Sequence, residues 1–244
     1  MKKTYAILFM LVMIAQFSSA QLQVTFPARD GLKVTADWYP VSSSFPVLLL
    51  CHQNGYSRGE FQETAARLNQ FGFNCLAIDL RVGDQVNGVK NETAAAAAAE
   101  KMTPVYADAE QDILGAVDYL SEKYKTSIIL FGSSYSASLA LKIAAENPKV
   151  SAVVAFSPGE YFDSTDYISS HISGLLKPVF VSSSREEADK VTDLVKDVNS
   201  RIKVQYIPST KGDHGSKVLW TSSPSNQEYW IALMSFLDKV KRMN

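Results

Sequence analysis

Cysteine and histidine are both scarce in this chain, with two cysteines and three histidines in 244 residues. The histidines are scattered and the set has no metal-ligand spacing. Cys51 and Cys75 do not suit a disulfide either. If they lie on adjacent parallel strands, one at the C-terminal end and the other near the N-terminal start, about four residues of offset part them by roughly 13 Å. A bridge tolerates only about 7 Å between Cα atoms. Two buried thiols without reactive chemistry are expected, and the chain is long enough to bury a core without covalent staples. Positive charge is not in excess: 24 basic and 25 acidic residues leave a formal net charge of −1. That balance speaks against nucleic acid as a partner. No internal repeat is visible, and long apolar runs are missing except at the N-terminus.

That one run, residues 5–17, follows Lys2 and Lys3 and precedes Ser18-Ser19-Ala20, which sets small residues where a signal peptidase reads them. It is short for a membrane span, which needs about 20 apolar residues. Residues 1–20 are therefore expected to be a secretory signal peptide cleaved after Ala20. Residues 21–244 would form one domain, soluble and periplasmic or extracellular, with 22 basic against 25 acidic residues and no cysteine at the new N-terminus to carry a lipid.

Strand-like and helix-like segments alternate along the rest of the chain, the pattern of an α/β protein with a mainly parallel sheet. Residues 23–26 and 32–39 read as an antiparallel hairpin. Residues 47–51 and 74–79 are nearly continuous apolar runs suited to strands buried on both faces, joined by a helix over 61–71. A long connection, 81–104, includes six alanines that favour helix but have little to bury. A helical stripe over 107–124 leads into a strand at 127–131. After it come a helix at 137–146, a strand at 150–156, a loop with a single helical turn over 157–177, a strand at 179–183, a helix at 188–198, a strand at 202–207 and a last helix at 228–240.

The most informative stretch is Ile128-Ile129-Leu130-Phe131-Gly132-Ser133-Ser134-Tyr135-Ser136. A β-type run breaks at small residues and continues into helix formers, so Ser134 would sit on a sharp strand-to-helix turn with its hydroxyl exposed, as a nucleophile. A serine hydroxyl needs an imidazole to take its proton and a carboxylate to orient that imidazole. His214 lies in the glycine-flanked loop Lys211-Gly212-Asp213-His214-Gly215 after the last strand, where a base belongs. The acid belongs at the end of the preceding strand, where Glu187 ranks first and Glu186 second. Asp213 ranks third, because neighbours in an extended loop point apart.

The chain order Ser, acid, His and its strand context resemble the α/β-hydrolases, and the dienelactone hydrolase-like branch most. Carrying the resemblance are residues 48–55 and 76–81, the 132–136 elbow, Phe156-Ser157-Pro158-Gly159-Glu160, residues 178–187 and Asp213-His214-Gly215. It implies helices on both faces of the sheet, no cofactor, and an oxyanion hole of two backbone N–H groups. These map to Tyr135 and to Asn54, with Gln53 as the alternative. Two positions depart from the family pattern, Gln53 after His52 where His-Gly is usual and Ser136 in place of the last glycine of the elbow, and the acid is Glu where Asp is commoner.

Some twenty residues separate the strands ending at Phe156 and beginning at Val179, too few for a cap domain. An open cleft suits small esters or an accessible acyl group, with Tyr161 and Phe162 among the residues left to line it. His52 reads as a hydrogen-bonded structural residue, His171 as a solvated loop residue, Asp79 and Arg81 as ion-pairing, and Glu160 as substrate-contacting or solvated. Asn91-Glu92-Thr93 matches a glycosylation acceptor. The expected activity is carboxylic ester hydrolysis on a small-molecule ester or acyl substrate; a peptidase or thioesterase would use the same residues. The alternative is a non-catalytic α/β-hydrolase-fold binding protein, which the two departures favour and the intact Ser, Glu and His set opposes.

Overall fold

Short apolar runs form the middle of the sheet because helices cover both of its faces. In the computed structural model, which describes residues 21–243, β3 (Val47–Cys51) and β7 (Ile128–Ser133) lie side by side in parallel. The expected signal peptide lies outside the described residues. β4 (Asn74–Ile78) flanks β3, and β8 (Val150–Phe156) flanks β7. Successive side chains alternate between two core layers. Leu48, Leu50, Ile129, Phe131 and Phe156 pack with α1 (Gln62–Gln70) and α7 (Asn226–Lys241). Leu49, Leu130, Val153 and Ala155 pack with α3 (Ala109–Lys123) and α4 (Tyr135–Glu146). In the first layer the rings of Phe61, Phe131, Phe156, Phe180 and Phe236 form a ladder with centroids 5.3–5.8 Å apart. Each ring contact adds about 0.5–1.5 kcal/mol to the area buried.

With β1 (Leu22–Pro27), β2 (Lys33–Tyr39), β9 (Val179–Ser182) and β10 (Lys203–Tyr206), the eight-stranded order is β1-β2-β4-β3-β7-β8-β9-β10. Only β2 runs against the rest. The chain goes from β3 outward to β4, then returns across to β7. A crevice at the C-terminal ends of β3 and β7 is where such a reversal places a site.

Residues 81–104 are more ordered than their composition suggests. They form a small ribbon, β5 (Gln85–Val86) with β6 (Val89–Lys90), and α2 (Glu92–Ala99). Asn91 caps α2 through Oδ1, which accepts the Ala94 N–H at 2.8 Å, while Nδ2 donates to Leu80 O. This asparagine is buried, a helix cap rather than an exposed acceptor. The alanine tract does bury something: Thr93 and Ala97 face inward, and Thr93 Oγ1 accepts the Thr35 N–H. At the end of β4, Arg58 pairs with Asp79 at 2.6 Å, and Arg81 pairs with Asp30 and Asp112 at 2.6 and 2.8 Å.

Three other expectations need adjusting. Within 157–177 the helix α5 (Tyr167–Ile172) buries Ile168 and Ile172, and His171 is on that helix, not in a loop. α6 (Ala188–Leu194) ends four residues early, because Val195 and Val198 continue the apolar period through non-helical turns. Cys75 pairs in register with Leu48, so it is three residues from Cys51 rather than four, and the odd offset puts the two free thiols in opposite core layers.

Candidate active site

Ser134 takes φ 60° and ψ −127° between β7 and α4, a backbone conformation that side chains rarely adopt. The turn is held because the Ser134 N–H donates to Phe156 O at 2.8 Å. It is also tight. A Cβ at Gly132 would lie 2.4 Å from Ala137 Cα and 2.5 Å from Ala137 N, so the strand can meet the helix only as glycine. Ser136, the departure from the usual glycine, has a role of its own. Its hydroxyl accepts the Ser133 N–H at 3.0 Å and lies 2.8 Å from Cys51 O and 2.9 Å from Ser133 O, tying the elbow to β3.

The loop after β10 brings His214 over this turn, with Nε2 2.8 Å from Ser134 Oγ and Nδ1 2.5 Å from Glu187 Oε1. A carboxylate only accepts, so Nδ1 carries the proton and Nε2 is left to accept from the serine hydroxyl. Glu187 closes a short 3-10 turn after β9. Its second oxygen accepts from Ser157 Oγ, Ser184 N and Ser184 Oγ at 2.9, 3.1 and 2.9 Å. Burial pushes this carboxyl up, but the hydrogen bond and charge of His214, with the Ser157 and Ser184 hydroxyls, outweigh it and bring it down to about 2. It is ionised at neutral pH. The other two acid candidates are elsewhere: Glu186 is exposed and pairs with Lys211 at 3.4 Å, and Asp213 faces Lys217 at 3.8 Å.

Tyr135 is the first residue of α4, so its N–H is among those a helix leaves without an internal acceptor. Of the two candidates after β3, the Gln53 N–H is already engaged by Glu60 Oε2 at 2.8 Å. Asn54 is exposed at the rim of the crevice. His52 behind it is fully buried, with Nδ1 donating to Gln53 O at 2.8 Å and Nε2 accepting the Leu80 N–H at 2.9 Å. Burial pulls it down to about 4 against the Gln53 bond, so this neutral ring is a brace for the loop.

Two clefts share Tyr161 as a lining residue. The smaller, about 290 Å³, is lined by Val82, Pro104, Val105, Tyr106, Tyr161 and Phe162. The larger, about 930 Å³, is bordered by His214, Glu187, Tyr161, Glu160 and Lys190. Tyr161 stands between them, its hydroxyl donating to Ser157 O at 2.8 Å. Tyr135 is buried, stacked on Tyr106 at 4.5 Å, and reaches Val82 O through its hydroxyl. Glu160, on the border of the larger cleft, accepts the Ile168 and Ser169 N–H groups at the start of α5.

Sequence reasoning gave no role to Ser157, Ser184 or Glu60. Ser157 carried a faint signal, as a small polar residue at the C-terminal end of an apolar strand whose neighbours end at the site. Glu60 carried none.

In overall shape the chain is similar to an esterase of Pyrococcus furiosus, at TM-score 0.68 and 18% identity over 91% of each chain. It is also similar to a dienelactone hydrolase of Anabaena variabilis, at TM-score 0.67 and 18% identity over 89% of this chain and 95% of that one. A putative dienelactone hydrolase of Klebsiella pneumoniae superposes at TM-score 0.63 and 12% identity over 90% and 99%. These likenesses establish the fold. No curated protein sequence matches the chain. Residues 43–212, from before β3 to two residues short of His214, match the Hydrolase_4 family, described as serine aminopeptidase, S33. The chain is a member of that family of α/β-hydrolases.

Proposed function

We propose that the protein is a serine hydrolase that cleaves carboxylic esters through an acyl-enzyme intermediate. The observation that carries this reading is the unbroken hydrogen-bond chain from Ser134 Oγ through His214 to Glu187. Ser134 attacks the ester carbonyl as His214 Nε2 takes its proton, and Glu187 holds the imidazolium in place. The Tyr135 and Asn54 N–H groups receive the oxyanion, each such donor being worth about 2.7–4 kcal/mol of barrier. His214 then protonates the departing alcohol, and a water activated by the same imidazole releases the acid. The apolar cleft beside Tyr161 and Phe162 takes the acyl part, and the wider polar cleft takes the alcohol. The esterase and dienelactone hydrolases of like fold fit this substrate class. Lys2, Lys3 and the apolar run before Ala20 support export as a periplasmic or secreted protein.

A fluorophosphonate probe followed by intact mass tests the reading. One adduct is expected on the native protein and none on Ser134→Ala or His214→Ala. An unlabelled, folded native protein would instead favour a binding module.

A further inference from the structure

Glu60 belongs to none of the groups assigned above, yet it lies behind all of them. It sits in the 3-10 turn Arg58–Phe61 that precedes α1, and it has no exposure at all. Burying a carboxylate without a cation is costly, and here its partners are a hydroxyl and a backbone N–H rather than Lys or Arg. Arg58, two residues before it, is directed to Asp37 and Asp79 instead.

The carboxylate's partners come from two different segments, and a third is joined through one of them. Oε2 accepts the Gln53 N–H at 2.8 Å, from the loop that continues into Asn54. Oε1 accepts the Ser216 hydroxyl at 2.6 Å, two residues after His214. Ser133, next to Ser134, is tied to that same loop, its hydroxyl oxygen accepting the Ser216 N–H at 2.9 Å. The same segments crowd around Gly215, where a Cβ would lie 2.7 Å from Gln53 Oε1 and 2.8 Å from Ser133 Oγ. The turn itself is pinned from outside by Trp220, whose indole N–H donates to Glu60 O at 2.8 Å.

We infer that Glu60 is a positioning residue: one buried carboxylate joins the segments carrying Asn54, Ser134 and His214, and so sets the oxyanion site and the base relative to the nucleophile. This rests on the proposed roles of those three residues. An ionised carboxylate suits the task because it accepts from the Gln53 N–H and the Ser216 hydroxyl at once, whereas a protonated one must turn a donor toward one of them. Its negative charge also lies behind His214 and favours the imidazolium that catalysis forms.

Protonation of Glu60 would therefore loosen the site. Burial raises this carboxyl, and although Ser216, Gln53, Ser133 and the charge of His214 oppose that, it is left at about 6. The other titratable groups in its field are Cys51 on β3, Tyr56 in the following loop and Tyr135 on α4, all pushed upward by burial and neutral there. Activity should thus fall on the acid side as Glu60 takes its proton.

The experiment compares wild type, Glu60→Gln and Ser216→Ala by two readouts. The His214 ring and the Asn54 amide are followed by NMR between about pH 4 and 8, and p-nitrophenyl acetate hydrolysis is followed over the same range. In E60Q the pH-dependent shift of the Asn54 amide near the Glu60 titration should vanish. kcat should drop about 10- to 100-fold with KM nearly unchanged, the signature of misplaced reacting groups. The part of the acid-side fall in kcat/KM that follows the Asn54 amide shift in wild type should be absent from E60Q. S216A cuts one bond and keeps the charge, so kcat should fall while that acid-side loss persists; it also serves if E60Q does not fold. Wild-type kcat and acid-side profile with an unchanged Asn54 amide shift in E60Q, or wild-type kcat in S216A, would overturn the inference. A protein that neither turns over ester nor reacts with fluorophosphonate would overturn the hydrolase reading, and the NMR arm would still decide the effect of Glu60 on His214 and Asn54.

Discussion

The Ser157 hydroxyl donates to Glu187 Oε2 at 2.9 Å and accepts the Gly215 N–H at 2.9 Å, so one oxygen binds the acid to the loop that carries the base. Ser157 holds this place from a left-handed backbone conformation, φ 52°, at the end of β8. The acid and the base come from different loops, and nothing in either loop alone fixes their distance. Ser157 supplies part of that constraint from a third.

Replacing Ser157 by alanine leaves the buried Gly215 N–H without its acceptor and Glu187 with one donor fewer. The unsatisfied N–H should cost about 1–3 kcal/mol of stability, read by urea unfolding. On the proposed mechanism kcat should fall by roughly tenfold, the equivalent of one net hydrogen bond, with KM little changed. Wild-type kcat in a folded S157A would show that Glu187 needs no help to orient His214.

Glu187→Gln should be far more damaging, and the reason is geometric. An amide has one accepting and one donating end. With its oxygen toward His214 Nδ1, the NH2 meets the Ser184 N–H; reversed, it meets the His214 N–H. Either orientation sets donor against donor. A fall in kcat on the order of 10³–10⁴ is expected, as when the acid of a serine triad is made an amide. Glu186→Gln, at an exposed pair worth about 0–1 kcal/mol, should leave esterase kinetics unchanged. If the two variants behaved alike, the choice of acid would be wrong.

How far the sequence could be read depended on the distance over which each residue is determined. Strands β3 and β8 were legible to the residue because burial on both faces writes itself as a continuous apolar run. Ser134 and His214 were legible because the elbow and the glycine-flanked loop are local patterns in fixed chain order. α6 was read too long because Val195 and Val198 are buried whether or not the backbone stays helical. Glu60 was invisible: its side-chain partner Ser216 is far away in sequence, and a charged residue beside Arg58 and Gly59 looks solvated until those segments meet.

Ser136 makes a departure from the family's glycine testable. Its hydroxyl is fully buried and satisfies Ser133 N–H while bonding to carbonyls at the ends of β3 and β7. Ser136→Gly should lose about 1–3 kcal/mol through the groups left unpaired, and roughly 0.5–1 kcal/mol more through backbone freedom in the first turn of α4. A denaturant titration measures both together. If S136G were instead the more stable protein, the serine would be a strained substitute and not a tie.

His52 gives the fold its own pH dependence, separate from any catalytic one. Its Nδ1–H donates to Gln53 O, and its Nε2 accepts from Leu80 N–H, so a second proton would set one donor against another in a site with no exposure. Burial lowers this ring from 6.5 to about 4. The unfolded chain therefore binds a proton in that interval that the folded chain refuses, and stability falls as pH drops from 6.5 through about 4. The full loss is roughly 3 kcal/mol. Glu60 acts with the opposite sign: raised from 4.5 to about 6, it takes a proton more readily when folded and offsets part of the loss within that range. Unfolding free energies measured across the interval should separate them. His52→Gln should flatten the acid decline, by up to about 1.4 kcal/mol per pH unit where His52 alone titrates, and Glu60→Gln should steepen it. Parallel changes in the two variants would mean that one of these rings or carboxyls is not buried as drawn.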